Sequence, residues 1–335
     1  MKQIKFQALV VSKKEDGGYQ RSLQWQTLED LPDNEVLIKV EYSSLNYKDA
    51  LSADGNRGVT RRYPHTPGID AVGRIHSTGV DQFSPGEKVL CMGYDLGMNT
   101  AGGFGGYISV PSSWVMALPG PLTSLEAMQI GTAGFTAGQC VHRLLELGVQ
   151  APQGPVLVTG ATGGVGSIAI RLLAAQGFEV VTVTGKSDQH AFLHDIGASK
   201  VIDRQKFLAG AGKLLLRERW AGVVDTVGGD ILATAIKGTR YDGVVTSCGN
   251  AASGDLPLSV YPFILRGVTL AGIDSARCSM ERRMAIWEKL SGPWRLPDLA
   301  TMCRTVSLQT LDAEIDRMLS GGARGRVVVD MREAV

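Results

Sequence analysis

The sequence predicts an α/β protein of two domains, a doubly wound parallel sheet joined to an antiparallel, barrel-like β domain. Three observations carry this expectation. Strand and helix patterns alternate from about residue 125 to 295, short β-branched runs broken by Gly and Pro fill the first ~125 residues, and the chain returns to a strand-like pattern after Pro297. The length, 335 residues, exceeds one average domain and falls short of three.

The elements follow in order. The run Phe6-Gln7-Ala8-Leu9-Val10-Val11 has too short an apolar core for a signal peptide and reads as a first strand. Val36 to Val40 alternates weakly, Val72 to Ile75 and Lys88 to Leu90 follow, and turn signals such as Ser84-Pro85-Gly86-Glu87 separate them. Leu125 to Leu147 carries apolar residues at helical spacing, interrupted by Gly131 and Gly134. Pro155 to Thr159 is a buried strand, and Val165 to Gln176 a helix with Ile168, Leu172 and Leu173 on one face. Glu179 to Val183 is the next strand, and Gln189 to Ile196 a helix that Gly197 caps. Val201-Ile202, Gly222 to Asp225, Gly243 to Thr246 and Val268 to Leu270 supply further strands of a parallel sheet. A β-like segment after Pro297, an amphipathic helix near Leu311 to Leu319 and a last strand, Arg326 to Asp330, are expected to fold back onto the first domain.

Composition excludes several classes. With 34 basic against 33 acidic side chains there is no electrostatic case for nucleic acid. No apolar run approaches the ~18 residues of a membrane helix, so a cytosolic protein is expected. Cys91, Cys140, Cys248, Cys278 and Cys303 are odd in number, far apart and form no Cys-x-x-Cys, which opposes both a disulfide framework and a structural zinc site.

The sharpest chemical signal is Thr159-Gly160-Ala161-Thr162-Gly163-Gly164-Val165-Gly166, where a strand ends and a helix begins. Small residues let the backbone approach a pyrophosphate, and the helix N-terminus offers unpaired N–H groups. The pattern fits a dinucleotide loop with Ala161 in the first glycine position, then Gly163 and Gly166. The short-chain dehydrogenase signature Thr-Gly-x-x-x-Gly-x-Gly also fits, but the loop lies mid-chain and no Tyr-x-x-x-Lys follows it. NAD sites place a carboxylate at the end of the second strand, whereas this strand ends Thr184-Gly185-Lys186-Ser187. Lys186, with Arg204 after the third strand, suits a 2′-phosphate and favours NADPH; the bland alternative is two solvated surface charges.

On these residues the chain resembles the medium-chain dehydrogenase/reductase superfamily. Ser43 to Leu51, Pro67 to Asp70, Ile130 to Ala137, Val224 to Gly228, Pro262 to Arg266 and Gly272 to Ser275 match its quinone-oxidoreductase-like branch, and more closely the bacterial acrylyl-CoA reductases. The resemblance covers almost the whole chain. It implies a GroES-like β-barrel domain over 1–129 and 297–335 and a Rossmann-type NADPH-binding domain over 130–296. Zinc enzymes of this superfamily place Cys where this chain has Asn46 and His-Glu where it has Ile69-Asp70, so zinc independence is expected. Carried over by residue, the resemblance sets Tyr47 at the nicotinamide end and Thr162, Gly163, Gly164 and Val165 around the pyrophosphate. Thr184, Gly185, Lys186 and Arg204 hold the 2′-phosphate, and Asn250, Ile264, Ser275 and Arg326 line the rest of the nicotinamide pocket.

The implied reaction is hydride transfer from NADPH to the β-carbon of an α,β-unsaturated acyl-CoA, acrylyl-CoA to propionyl-CoA, with Tyr47 as the candidate catalytic hydroxyl and Asp49 a local structural acceptor. Two alternatives stay open: a quinone or enone reductase, and a non-catalytic NADPH-binding protein related to lens crystallins. The basic segment Arg57 to His65 reads equally as a contact for CoA phosphates and as a solvated loop. The family also implies a homodimer through the strand at Val268 to Leu270.

Overall fold

The computed structural model describes residues 3–335. β1 (Lys5–Lys13) and β2 (Tyr19–Thr27) form an antiparallel two-stranded sheet, Lys5 opposite Thr27. β3 (Val36–Leu45) leads into α1 (Tyr47–Ala53), followed by β4 (Asp70–Thr78), β5 (Lys88–Met92), β6 (Tyr107–Val110) and β7 (Val115–Ala117). Along β3, Val36, Ile38 and Val40 are buried while Lys39 is exposed. The period of two turns one face inward, where it meets Leu9, Val11, Val89, Phe104 and Ile108. Each such aliphatic side chain contributes about 1.5–3 kcal/mol on full burial.

α2 (Ser124–Glu146) breaks at Gly131, whose φ of +49° is left-handed. The chain's contacts divide it near this break. One unit holds Met1–Thr132, Ala276–Pro293 and Pro297–Val335; the other holds Ala133–Ser275 and Trp294–Leu296.

The second unit runs β8 (Val156–Val158), α3 (Gly164–Ala175), β9 (Val180–Thr184), α4 (His190–Asp195), β10 (Lys200–Asp203), α5 (Arg204–Leu208), β11 (Trp220–Asp225), α6 (Gly229–Lys237), β12 (Thr239–Ser247), α7 (Tyr261–Arg266) and β13 (Thr269–Gly272). All neighbouring strands pair in parallel, in the order β10-β9-β8-β11-β12-β13. The chain moves outward from β8 to β10, crosses to β11, and moves outward the other way. The reversal between β8 and β11 is where open parallel sheets bind ligands, at the carboxyl ends of the strands. Ile168, Leu172 and Leu173 bury the inner face of α3.

α8 (Met280–Ser291), β14 (Cys303–Ser307), α9 (Leu311–Leu319) and β15 (Arg326–Asp330) complete the first unit. β15 lies between β14 and β3, parallel to the former and antiparallel to the latter. This makes one seven-stranded sheet, β14-β15-β3-β4-β5-β7, with β6 on the side of β3. The sequence reading gave residues 276–293 to the nucleotide domain, and here they group with the β domain. Trp287 is fully buried with its Nε1 3.2 Å from Met92 Sδ, and the Arg283 guanidinium sits 4.8 Å from the centre of the Tyr94 ring. Those partners are almost 200 positions away, beyond the reach of local periodicity. All five cysteines are free thiols, Cys91 and Cys140 buried. Among the described residues no helix is long and apolar enough to cross a membrane.

Candidate active site

Six strand ends bring most of the expected cofactor residues to one edge of the second unit. Gly160 to Val165 follows β8, Gly185-Lys186 follows β9, Arg204 follows β10, Thr226 follows β11, Asn250 follows β12 and Ser275 follows β13. Because the strands are parallel, these segments all leave the sheet at its carboxyl edge.

The glycine loop is shaped by contacts more specific than its motif. Gly160 has φ +59°, and a Cβ there would stand 2.0 Å from Thr226 Oγ1. A Cβ on Gly166 would stand 2.4 Å from the Gly160 carbonyl oxygen. Gly160 therefore makes the left-handed turn, a conformation costly for other residues, and Gly166 lets α3 close onto β8. The motif reading gave the first glycine position to Ala161; the turn belongs one residue earlier. Gly163, where an added Cβ would meet nothing nearer than 3.4 Å, leaves the backbone open to a ligand. It is the N-cap of α3, and no side chain caps that end. The free first-turn N–H groups of Gly164 and Val165, beside the buried Thr162, suit a pyrophosphate.

The neighbouring strand supplies cations. Asp203 pairs with Thr184 in register, which sets the start of α5 beside the end of β9. The Arg204 guanidinium consequently lies over Gly185. Lys186 donates its backbone N–H to Thr184 Oγ1 at 3.1 Å. Burial holds the Lys186 ammonium below its usual pKa, with Asp188 pulling the other way. Two cations and a hydroxyl around a glycine are chemistry that suits a doubly charged phosphate, and the end of β9, Thr184-Gly185-Lys186-Ser187, carries no carboxylate. Asn250 is exposed and Ser275 partly so; Ile264 is 67% exposed on α7, which precedes β13 rather than following it.

Sequence reasoning missed a clamp at the switch point. Thr159 Oγ1 donates to Asp225 Oδ1 at 2.6 Å, and Thr226 Oγ1 donates to the Thr159 carbonyl at 3.2 Å. Asp225 Oδ2 accepts from Gly228 N at 2.9 Å. Burial pushes the Asp225 carboxyl up, and these donors oppose it. The clamp fixes the ends of β8 and β11 beneath the glycine loop. The segment Asp225-Thr226-Val227-Gly228 was its signal.

In the first unit, Tyr47 is the first residue of α1 and 45% exposed. Asn46 caps the helix and Asp49 completes a capping box. Asp49 is wholly buried and accepts backbone N–H groups from Asn46 at 2.7 Å, Gly68 at 3.1 Å and Ile69 at 2.8 Å. Burial, reinforced by Asp70, raises its pKa to about 7 against those donors. Its role is to tie α1 to the Gly68–Asp70 turn.

Beneath Tyr47 lies a buried polar lattice. Asp70 Oδ2 accepts from Ser44 Oγ, from Asn46 Nδ2 at 2.8 Å and from Thr132 N at 2.9 Å, while Oδ1 accepts from Thr132 Oγ1 at 2.5 Å. Arg326 donates to Asn46 Oδ1 at 3.1 Å, Ser44 Oγ at 2.7 Å, and the carbonyls of Gln129 and Leu45 at 3.2 and 3.3 Å. Its Nη2 is 3.8 Å from Asp70 Oδ2. Arg326, expected to line the nicotinamide pocket, is only 3% exposed, because β15 is inserted inside the sheet. It presents no surface donor and instead holds the Asn46 carboxamide from below. The left-handed Gly131 lets α2 approach: a Cβ there would lie 2.5 Å from Arg326 Nη2.

With this geometry in place, comparison with known proteins is informative. Residues 32–120 match the family described as the alcohol dehydrogenase GroES-like domain, and residues 164–289 the family described as zinc-binding dehydrogenase. An acrylyl-CoA reductase of Ruegeria pomeroyi is 40% identical, the match covering 97% of this chain and 99% of the relative. A quinone oxidoreductase homologue of Bacillus subtilis, yhfP, is 43% identical over 97% of this chain and 99% of its own. Its structure with NAD bound has a TM-score of 0.94 over 98% of this chain and 99% of that one. The yhdH oxidoreductase of Salmonella enterica in complex with NADP has a TM-score of 0.94 and 37% identity, covering 97% of this chain and all of the other.

Proposed function

The chain belongs to the medium-chain dehydrogenase/reductase family, and from that premise we propose that it is an NADPH-dependent reductase of the carbon–carbon double bond in an α,β-unsaturated acyl-CoA, acrylyl-CoA to propionyl-CoA. The observation that carries the cofactor is the pair of cations around Gly185, Lys186 and Arg204, in the place where an NAD site keeps a carboxylate. The substrate reading is supported by likeness to the Ruegeria acrylyl-CoA reductase along the whole of both chains.

Bound NADPH supplies a hydride. The protein's own part is orientation and charge. Thr162 to Val165 hold the pyrophosphate, and Thr184 to Lys186 with Arg204 hold the 2′-phosphate. Asn250, Ile264 and Ser275 flank the nicotinamide end. Tyr47 is the candidate hydroxyl for the reaction, and the Asn46–Asp70–Arg326 lattice fixes the start of its helix. Hydride addition to the β-carbon places negative charge on the thioester oxygen, and a proton completes the α-carbon, so donors fixed in advance are the catalytic requirement. Zinc plays no part in this reading. An amide stands at 46, both its ends hydrogen-bonded, and both oxygens of Asp70 accept from neighbours.

A second reading, a quinone reductase, is favoured by the 43% identity to the Bacillus protein. The deciding experiment is steady-state oxidation of NADPH by the purified protein with acrylyl-CoA or a simple quinone. A much higher kcat/KM for acrylyl-CoA is expected. Preference for the quinone would establish the second reading in its place.

A further inference from the structure

Arg57, Arg61 and Arg62 crowd one loop of the first unit, and all three are exposed. Residues 57–65 contain no carboxylate, in a chain whose net charge is only +1. Among the described residues, none of the three forms an ion pair. Like charges this close repel one another unless an anion joins them.

The loop that carries them is ordered from both ends. Ser52 Oγ lies 2.6 Å from Thr60 Oγ1, both residues buried, and the Tyr63 hydroxyl donates to the Ser52 carbonyl at 2.8 Å. Arg61 donates its backbone N–H to Asn99 Oδ1 at 3.1 Å. His65 exchanges backbone hydrogen bonds with Val11 at 2.9 and 2.8 Å. Ser52 belongs to α1, whose first residue is Tyr47. Three unpaired guanidinium groups are thus carried on a loop tied, through Ser52, to the same short helix that begins with the candidate active-site hydroxyl. A merely solvated charge run needs no such anchoring. Arginine forks on a fixed backbone match phosphate oxygens, with little ordering left to do on binding.

We propose that the Arg57–Arg62 loop binds the phosphate groups at the nucleotide end of a coenzyme A thioester. The proposal rests on the acyl-CoA reading above and gives that substrate its recognition element. The acyl end needs no charge for its own recognition, so discrimination between a CoA ester and a simple enone falls to this loop. The cofactor also carries phosphates, but its cations, Lys186 and Arg204, belong to the other unit.

The test uses the full chain with Arg57→Gln, Arg61→Gln and Arg62→Gln combined. KM for acrylyl-CoA is expected to rise roughly tenfold or more, the sum of three exposed ionic contacts, with kcat retained. The rise should shrink as salt is added to the parent assay. KM for NADPH should stay as in the parent. With acrylyl-pantetheine, which lacks the nucleotide phosphates, parent and variant should coincide. An unchanged KM for acrylyl-CoA, or an equal loss on acrylyl-pantetheine, overturns the proposal. Direct binding of coenzyme A by calorimetry separates this inference from the reading it rests on. A parent that binds coenzyme A through these arginines yet turns over no thioester sinks the reductase assignment and keeps the site; a parent that does not bind coenzyme A sinks the site.

Discussion

The guanidinium of Arg204 lies so close over Gly185 that a Cβ at 185 would stand 2.9 Å from Arg204 Nη2. The two residues meet because β9 and β10 pair in register, Thr184 opposite Asp203. The second strand of the nucleotide unit therefore ends under a cation.

Removing that cation and its neighbour should cost selectivity rather than folding. Lys186→Ala with Arg204→Ala is expected to weaken NADPH binding by about 100-fold, the scale of two charge-assisted contacts, and to leave NADH binding within a few-fold of the parent. Fluorescence titration with each nucleotide measures both. Equal weakening of the two nucleotides would mean that these side chains do not read the 2′-phosphate. The Bacillus relative with NAD bound makes this comparison pointed.

The glycine loop predicts an asymmetry between two alanine substitutions. Gly166→Ala drives a methyl group to 2.4 Å from a backbone oxygen, which cannot swing aside. A destabilisation of about 1–3 kcal/mol is expected. At Gly163 the nearest atom to the new Cβ is 3.4 Å away, so the fold should be unchanged while nucleotide affinity falls. Thermal unfolding without nucleotide, followed by NADPH titration, separates the two. Equal melting temperatures for both variants would contradict the packing assigned to Gly166.

The lattice under Tyr47 should behave as one unit. Arg326→Met strands the buried Asp70 carboxylate without its cation, and a loss of about 3–5 kcal/mol is expected. Asp70→Asn combined with Arg326→Met removes both charges and should recover part of that loss. Urea unfolding of the two single variants and the double gives the coupling directly. Strict additivity would show that the 3.8 Å pair contributes nothing of its own.

What the sequence made legible was local. A buried strand, a run of small residues and a helix in 20 consecutive positions announce the nucleotide loop, and Lys186 follows at the end of the next strand. The barrel's strands were readable from alternation at Val36 to Val40, with Lys39 outward. Other features depend on partners distant in the chain. Arg326 and Asn46 are 280 positions apart, and only the insertion of β15 beside β3 reveals that Arg326 is interior. The residues of α8 follow the nucleotide unit in sequence yet bury Trp287 against Met92. Gly160 was visible as a letter, but that a side chain there would run into Thr226, just past another strand, needed the fold. Tyr47 was nameable by resemblance, while the capping box that exposes it required the chain to be folded.

Assembly is open to a direct measurement. β13 is the edge of the six-stranded sheet, and the neighbouring α7 exposes Ile264 and Leu265 at 67% and 56%. An open edge with apolar residues beside it suits pairing with a second copy of the chain. We expect a homodimer by light scattering, and Leu270→Pro, which cannot donate at that edge, should shift it toward the monomer. A monomeric mass for the parent at assay concentration would remove the proposal.

His65 predicts a pH dependence of stability. The ring is 6% exposed, and its Nε2 has no hydrogen-bond partner. Burial holds its pKa below the ordinary 6.5, against the Gly97 backbone contact and Asp95, which raise it. The folded state therefore binds a proton less readily than the unfolded chain. Its contribution to stability is complete above the unfolded value and is lost as pH falls through 6.5 toward the folded value. Asp49, raised to about 7, runs the opposite way: its contribution is complete at low pH and is lost as pH rises through 7. The two trends offset each other in the parent, so the informative quantity is the difference made by His65→Gln. Between roughly pH 7.5 and 5.5 the variant should lose less thermal stability than the parent, or gain some, as the Asp49 trend emerges alone. Parallel melting curves for the two proteins across that range would mean that His65 titrates in the folded state as it does in water.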